Sequence, residues 1–218
     1  MPYKFVLHKV ICNRADCSFG WKRMIFYYPN RPTLRPVDPK NISTPTSWYL
    51  DELEKSGVYI AEKKFNGDNV YIDTDNPLQL WNRVKEPHHY RPTPEVLKEL
   101  EMFPKGTVLN AELMHYKTVG IKNRLIIHCV MRWKGVWLIG KTWGEARILL
   151  DDFASRTYIK ISPIYKSGFW DLYSSADGKE IEGIVLKDPK GKLLFSTSPI
   201  KDVPWMLKFR HPCAKYNF

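Results

Sequence analysis

Charged residues inside short apolar segments are the feature of this sequence that most limits its fold. Three segments carry them: Val108 to Leu113 with Glu112, Ile181 to Lys187 with Glu182 and Lys187, and Trp205 to Arg210 with Lys208 and Arg210. Alternate side chains of a strand point to one face, so Lys208 and Arg210 share a face. Because an unpaired charge is costly to bury, these groups need partners. The pattern predicts sheets that carry clusters of charged side chains.

The rest of the sequence predicts an α+β fold with mostly antiparallel sheets flanked by helices. Further strand-like segments are Val58 to Lys64, Val70 to Ile72, Leu125 to Met131 and Tyr158 to Ile161. The turn signal Asn66-Gly67 between the first two predicts a β-hairpin. Helix starts are indicated by Thr93 before Pro94 and by the capping-box pattern from Thr142 to Glu145, which apolar residues at helical spacing follow.

A length of 218 residues allows one large domain or two small ones, and the order of the motifs described below favours a single domain over residues 1–218. The chain is 44% hydrophobic and 14% aromatic, so it can build a core and is not disordered, collagenous or a coiled coil. No run approaches the roughly 20 apolar residues of a membrane span, and Met1 to Val10 lacks an apolar signal core, so no membrane partner is expected. Residues 1–45 are a basic segment followed by a proline-rich stretch, Pro29 to Pro45, that is expected to be an irregular surface loop.

The net charge of +11 is compatible with a nucleic-acid partner, because each neutralised phosphate releases counterions and adds affinity. A protein that is merely basic and soluble would carry the same charge. Several N-terminal cations are candidates for holding a strand by its phosphates, and a solvated arm is the alternative for them. They are Lys22, Arg23, Arg31, Arg35 and Lys40.

Cysteine usage indicates a reducing, cytoplasmic compartment, with a nuclear or virus-encoded intracellular protein as alternatives. The four cysteines, at positions 12, 17, 129 and 213, include no Cys-x-x-Cys pair. They fit neither a disulfide framework nor a zinc site.

Lys64 is the first candidate for chemistry. It lies at a strand end beside the Asn66-Gly67 turn, on the face that also carries Glu62. A lysine fixed near other cations can lose its proton and act as a nucleophile, whereas a charged strand end in solvent is the simpler explanation. His128 interrupts the apolar segment Leu125 to Val130, where a hydrogen-bonded core histidine is the alternative to a functional one.

Four motifs in order resemble those of the covalent nucleotidyltransferase superfamily, which comprises ATP-dependent DNA ligases, RNA ligases and mRNA capping enzymes. They are Lys64-Phe-Asn-Gly67, Leu-Asn-Ala-Glu112-Leu, Glu182-Gly-Ile-Val-Leu-Lys187 and Trp205-Met-Leu-Lys208-Phe-Arg210. The resemblance runs from about Pro32 to Arg210, nearly the whole chain. It implies the fold of the adenylation domain of these enzymes.

The resemblance also implies roles for individual residues. Lys64 would attack the α-phosphorus of ATP, expel pyrophosphate and hold AMP through a phosphoramide bond, with Lys208 and Arg210 gripping the α-phosphate. A Mg²⁺ or Mn²⁺ ion would assist. The other implied contacts are Glu62 on the adenine side, Arg83 at the sugar or phosphate, Glu112 at the ribose or a metal, His128 against adenine, Glu182 at the metal, and Lys187 at a phosphate.

Departures from the usual motifs bear on the substrate. Asn66 stands where DNA ligases and capping enzymes usually have Asp, and Asn69 where they usually have Arg, a pattern closer to one RNA-ligase branch. Glu62, the short spacing between the last two motifs and the sequence Trp205-Met-Leu-Lys208 favour DNA ligases. The motif Glu182-Gly-Ile-Val-Leu-Lys187 is typical of ligases and argues against a capping enzyme. The sequence thus favours a ligase that seals nicked duplexes, DNA narrowly over RNA, with a non-catalytic nucleic-acid-binding relative as the alternative from another class.

Eight residues follow Arg210, too few for the OB-fold domain that most relatives carry. The expectation is therefore a catalytic domain without an OB-fold, and a clamp domain or protein that acts in trans is a candidate partner.

Overall fold

The computed structural model describes residues 27–30, 45–82, 86–193 and 201–214. They form ten strands: β1 (Tyr27–Asn30), β2 (Ile60–Phe65), β3 (Asp68–Asp73), β4 (Leu80–Asn82), β5 (Val108–Met114), β6 (Arg124–Trp133), β7 (Val136–Trp137), β8 (Ile159–Ile161), β9 (Ile181–Lys187) and β10 (Lys201–Arg210). The helices are α1 (Ser47–Lys55), α2 (Pro94–Leu100), α3 (Trp143–Arg147) and α4 (Phe169–Ser174), with a 3₁₀ turn at Ile148–Leu150. None of these helices is both long and apolar enough to cross a membrane.

The predicted helix starts are confirmed. Pro94 opens α2, although the hydroxyl of Thr93 makes no capping hydrogen bond. At α3 both bonds of the capping box form, since Thr142 accepts from the backbone of Glu145 and the Glu145 carboxylate accepts from the backbone of Thr142. The regular helix ends at Arg147 and continues as the 3₁₀ turn, so the apolar spacing after Thr142 covers two short elements.

The strands form two sheets, and the predicted α+β class is confirmed. The first sheet has the order β1-β10-β9-β2 and the second has the order β4-β3-β5-β6-β7, with β8 also paired to β6. The pairs β1–β10 and β6–β8 are parallel. The other pairs are antiparallel, as the sequence predicts.

The hairpin predicted around Asn66-Gly67 is wrong, because β2 and β3 belong to different sheets. A β-carbon on Gly67 would lie 2.6 Å from the Leu113 carbonyl oxygen and 2.8 Å from Cγ of Glu112. The backbone of this turn therefore packs directly against β5, and only glycine fits at this position. The turn joins the two sheets and leaves Lys64 at the junction.

Separate apolar clusters lie on the two faces of the first sheet. On one face Ile184, Leu186 and Phe209 pack with residues of α1 and α4. On the other, Val185 and Met206 pack with residues of β3, β5, β6 and α3 in a core shared by both sheets. The second sheet packs its far face against α2. Val185 pairs with Glu62, so these two side chains lie on the face of the first sheet that contacts the second sheet. Lys64 is two residues after Glu62 and therefore lies on the same face.

The proline-rich stretch begins differently from the prediction. Pro29 and Asn30 belong to β1, which pairs with β10 through an irregularity between them. The strand is compatible with proline because β1 lies at the edge of its sheet. The rest of the stretch up to residue 44, with the candidate cations at 31, 35 and 40, lies outside the described residues, as do Lys22 and Arg23.

Gly183 in β9 has a conformation that other residues avoid. Its φ is +145°, and an added β-carbon would lie 2.0 Å from the Phe209 carbonyl oxygen. Strict alternation would place the neighbouring Glu182 on the helix-covered face with Ile184. The irregular pairing of β2 with β9 after Lys64 and the unusual φ of Gly183 let Glu182 reach Lys64 instead.

Gly183→Ala is expected to lower the free energy of unfolding by about 3 kcal/mol, because both backbone strain and overlap with a fixed carbonyl must be relieved. Urea unfolding followed by tryptophan fluorescence measures this change. Gly57→Ala is the matched control, since Gly57 also has a positive φ of +64° but open space around it. The control should lose only about 1 kcal/mol. Equal losses in the two variants would contradict the close-approach explanation.

Candidate active site

A carboxylate that bridges two cations forms the centre of the site. Glu182 on β9 accepts a hydrogen bond from Nζ of Lys64 on β2 through Oε1, and its Oε2 lies 2.5 Å from Nη2 of Arg210 on β10. Lys64 and Arg210 both pair in register with Gly183, from opposite sides of β9. Glu182 is buried and both cations are largely covered. Three strands thus place two positive side chains around one buried carboxylate.

Glu112 brings the second sheet into the site. Its Oε1 accepts a hydrogen bond of 3.1 Å from the backbone N–H of Gly67. Burial raises the pKa of the Glu112 carboxyl to about 7, and the negative charge of Glu182 adds to this rise, while the positive charge of Lys64 opposes it. We call Lys64, Glu112, Glu182 and Arg210 the Lys64 cluster. At neutral pH the Lys64 cluster therefore contains one carboxyl group, that of Glu112, that is only partly ionised.

A second cluster of charged and polar side chains lies next to the Lys64 cluster. Its members all contact Glu62, which is two residues before Lys64. Oε2 of Glu62 accepts hydrogen bonds from Lys187 Nζ at 2.9 Å and the Ser162 hydroxyl at 3.0 Å, and lies 2.9 Å from Nδ1 of His128. The ammonium of Lys187 also lies 4.7 Å from the centre of the Trp143 ring. We call Glu62, His128, Ser162 and Lys187 the Glu62 cluster.

The contacts of Glu62 lower its pKa despite complete burial. Burial alone would raise the pKa, but the charge of Lys187 and the hydrogen bond with His128 outweigh it and lower the pKa to about 2. Burial lowers the pKa of His128, even though Glu62 acts in the other direction. Lys187 is therefore the partner that holds Glu62 ionised.

One oxygen of Glu62 stays without a partner in the described part of the chain. Oε1 is buried and accepts no hydrogen bond from any described residue. A buried carboxylate oxygen without a donor is costly, so this atom is a candidate acceptor for a bound molecule.

Lys208 lies across β9 from Glu62, since both residues pair in register with Val185. Its side chain is buried on the face that carries Lys64. The structure thus brings eight of the nine site residues that the sequence singles out to the region between the two sheets. Arg83 lies outside the described residues. The sequence reasoning did not assign a site role to Ser162 or Trp143.

A divalent cation fits the Lys64 cluster. The described residues contain no group of three His, Cys, Asp or Glu side chains placed to hold a metal ion. Glu112 and Glu182 nevertheless supply hard oxygen ligands close enough for the charge of Glu182 to raise the pKa of Glu112. Mg²⁺ often binds through one or two carboxylates together with water and substrate phosphates, so two carboxylates suffice when a nucleotide is bound.

Glu112→Gln should change how stability depends on pH. The folded-state pKa of Glu112, about 7, is above its ordinary value of 4.5, so the stability that Glu112 contributes is fully present below pH 4.5 and lost as pH rises through 7. The glutamine cannot ionise. The variant should therefore gain about 2 to 3 kcal/mol relative to the wild type between pH 5 and pH 8, in urea titrations with EDTA present.

Glu52→Gln, on the exposed surface of α1, controls for the loss of one negative charge. If Glu112→Gln and the wild type keep the same difference in unfolding free energy at pH 5 and pH 8, Glu112 does not carry a raised pKa.

Comparisons with known proteins agree on the fold. No protein-family model and no curated protein matches the sequence. Among solved structures, a mycobacterial DNA ligase D complexed with ATP and MES has a TM-score of 0.56 at 14% identity, over 86% of this chain and 60% of that chain. The ligase domain of LigD from M. tuberculosis has a TM-score of 0.54 at 13% identity, over 86% and 59%. A structure from an analysis of Lig E DNA ligases has a TM-score of 0.51 at 12% identity, over 71% and 62%.

At these identities the similarity establishes the fold and leaves the roles of individual residues as predictions. The chain spans about three fifths of the length of each of these three structures. It has the fold of the nucleotidyltransferase domain of ATP-dependent ligases.

Proposed function

We propose that this chain is the adenylating domain of an ATP-dependent polynucleotide ligase, in which Lys64 is the nucleophile. The observation that carries the proposal is the Lys64–Glu182–Arg210 arrangement, placed between the two sheets of a ligase-type fold. A lysine that is largely covered and bound to a carboxylate is not a solvated strand end. The fold and the four ordered motifs support the same function independently.

In the first step, the neutral amine of Lys64 forms a bond to the α-phosphorus of ATP. The bond from that phosphorus to the oxygen bridging to the β-phosphate breaks, and pyrophosphate leaves with the electron pair. Lys64 must first lose a proton, because only the neutral amine is a nucleophile. Arg210 and Lys208, which lie on the same sheet face, would stabilise the negative charge on the transferring phosphoryl group.

The Glu62 cluster would form the adenosine side of the pocket. The buried Oε1 of Glu62 would accept a hydrogen bond from the amino group of adenine. His128 would lie against the base, held in place by its hydrogen bond to Glu62. Lys187 already pairs with Glu62, so it would reach a phosphate only by giving up part of that contact.

Glu182 and Glu112 would hold a Mg²⁺ or Mn²⁺ ion, which supplies positive charge at the phosphates when bound. One oxygen of Glu182 accepts a hydrogen bond from Lys64, and Glu112 accepts one from the backbone N–H of Gly67.

The later steps follow from a lysyl-AMP intermediate. A 5′-phosphate oxygen of a nicked duplex bonds to the AMP phosphorus, and the bond from that phosphorus to Lys64 breaks as the amine takes up a proton. The 3′-hydroxyl then attacks the 5′-phosphorus, loses its proton and expels AMP. Closure of a clamp domain around the duplex, in the same protein or in trans, belongs to this proposal.

DNA is the favoured polynucleotide, and RNA is the second candidate because of Asn69. This residue pairs in register with Glu112, and its side chain hydrogen-bonds to Asn110 at 3.3 Å and the Ala111 carbonyl at 3.4 Å. The Lys-x-x-Gly-x-Asn pattern thus places an amide beside the proposed nucleotide site. A few contacts of this kind decide whether a 2′-hydroxyl is accepted.

Incubation with α-labelled ATP and Mg²⁺ should attach label to the wild-type protein, while Lys64→Ala should attach none. Lys63→Ala is the matched control, because the neighbouring lysine lies on the opposite strand face and should leave labelling intact. Label from GTP in place of ATP would indicate a capping-type enzyme. Absence of label together with intact binding to nicked duplex would favour the non-catalytic relative.

Nick-sealing assays show whether the enzyme prefers DNA or RNA as its substrate. The wild type should join a nick with a DNA 3′-hydroxyl end faster than one with an RNA end, and Arg210→Ala should slow both about 100-fold or more through loss of a preorganised phosphate contact. The rates of sealing under single-turnover conditions measure both effects. A faster reaction at the RNA end would reverse the substrate assignment, and near-normal sealing by Arg210→Ala would show that its motif is misassigned.

A further inference from the structure

Five aromatic rings contact one another in a row beside the turn that follows Lys64. His88 and His89 are stacked, Tyr116 is tilted against His89, and the contacts of His115 are tilted or edge-on. Ring centres lie 4.6 Å apart between His88 and His89, 4.8 Å between His89 and Tyr116, 4.4 Å between Tyr116 and His115, and 4.8 Å between His115 and Tyr90. We call these five residues the ring stack. His88 and Tyr90 are buried, His89 is exposed, and 48% of Tyr116 is exposed. The ring stack thus has buried members that pack inside the protein and two members, His89 and Tyr116, that are exposed at the surface.

Hydrogen bonds hold two of the histidines as neutral aromatic rings. Nδ1 of His88 accepts the backbone N–H of Tyr90 at 3.1 Å, and Nδ1 of His115 accepts that of Asn123 at 3.2 Å. A ring nitrogen that accepts a hydrogen bond carries no proton. Burial also lowers the pKa of both histidines. His88 and His115 therefore contribute uncharged rings that hydrogen bonds hold in a fixed orientation.

Three exposed cations surround the ring stack. Arg91 donates to the carbonyl oxygen of His88 at 2.7 Å, and Lys122 donates to that of His115 at 2.6 Å. The third cation, Lys117, forms an ion pair of 2.8 Å with the carboxylate of Asp68. Cations are thus tied to the backbone that carries the rings.

The ring stack is attached to the proposed nucleophile by the loop between β5 and β6. The hydroxyl of Thr118 donates to the carbonyl oxygen of Asn66, and Nζ of Lys117 donates to that of Gly67 at 3.0 Å. Both acceptors lie within three residues of Lys64. Tyr116 therefore directly precedes two residues that contact the turn after Lys64.

We infer that the ring stack is a platform for an unpaired nucleobase of the polynucleotide, with Tyr116 as the stacking surface and His89 as its support. The inference extends the proposed ligase function by adding a contact to the strand. Exposed aromatic rings bordered by cations are the combination that binds single-stranded nucleic acid, since every base offers a flat face and every nucleotide a phosphate. The occupant is an unstacked base at a strand end or gap; a paired base is already covered by its neighbours.

Binding of fluorescent oligothymidylate, measured by anisotropy at fixed salt, tests the inference. Tyr116→Ala should weaken binding about tenfold, since removing a stacked base contact costs about 1 to 3 kcal/mol. Tyr116→Phe should bind within about twofold of the wild type. Trp48→Ala is the matched control, because Trp48 is an exposed aromatic ring on α1, which covers the other face of the first sheet, and it should not weaken binding.

An abasic oligomer of the same length and charge separates stacking from phosphate binding. The wild type should prefer oligothymidylate to the abasic oligomer, and Tyr116→Ala should lose that preference. Equal binding of the two oligomers by the wild type, or an unchanged preference in Tyr116→Ala, would overturn the inference. So would an equal loss of affinity for a blunt, fully paired duplex in Tyr116→Ala. None of these measurements uses ATP, so a protein that fails to attach AMP would leave this test intact.

Discussion

The two salt bridges of Glu182 are the interactions on which the rest of the site depends. This carboxylate belongs to β9, the strand between β2 and β10. It contacts Lys64 on β2 and Arg210 on β10. The two cations lie on the strands that flank β9, and the buried carboxylate between them offsets the repulsion of their like charges. Gly183 makes the arrangement possible, because its φ of +145° permits a backbone path that leaves no room for a β-carbon.

The two glutamates beside this centre show how environment assigns opposite properties to the same side chain. Glu62 is fully buried, yet Lys187 and His128 lower its pKa to about 2. Burial raises the pKa of Glu112 to about 7, and the charge of Glu182 adds to this rise. One group is a fixed negative charge that orients its neighbours, while the other is close to losing its proton at neutral pH. The proposed binding of a nucleotide and a cation would make use of both properties.

The sequence predicts the parts of the fold that follow from local rules. The alternation of charged and apolar residues in β9 and β10 predicts that Lys208 and Arg210 share a face, and the capping box at Thr142 depends on four consecutive residues. The hairpin at Asn66-Gly67 is wrong because a turn signal does not reveal that β2 pairs with β9, more than a hundred residues away. Glu182 reaches Lys64 against the rule of alternation, which requires the conformation of Gly183.

Long-range contacts explain what the sequence analysis missed. Ser162 donates to Glu62 across a hundred residues, and Trp143 meets Lys187 through the position of α3. Neither residue belongs to a motif with a spacing rule. The ring stack is similar, since His88 and His89 come from the segment after β4, while His115 and Tyr116 come from the segment after β5. The structure places these residues together, but the catalytic roles themselves stay predictions.

Peptide mapping by mass spectrometry after incubation with ATP and Mg²⁺ tests the central claim most directly. The account predicts an AMP adduct on the peptide that contains Lys64, attached at that lysine through an acid-labile phosphoramide bond. The neighbouring Lys63, on the opposite strand face, should remain unmodified. An adduct on another lysine, or an unmodified Lys64 in protein that binds ATP, would contradict the assignment of Lys64 as the nucleophile.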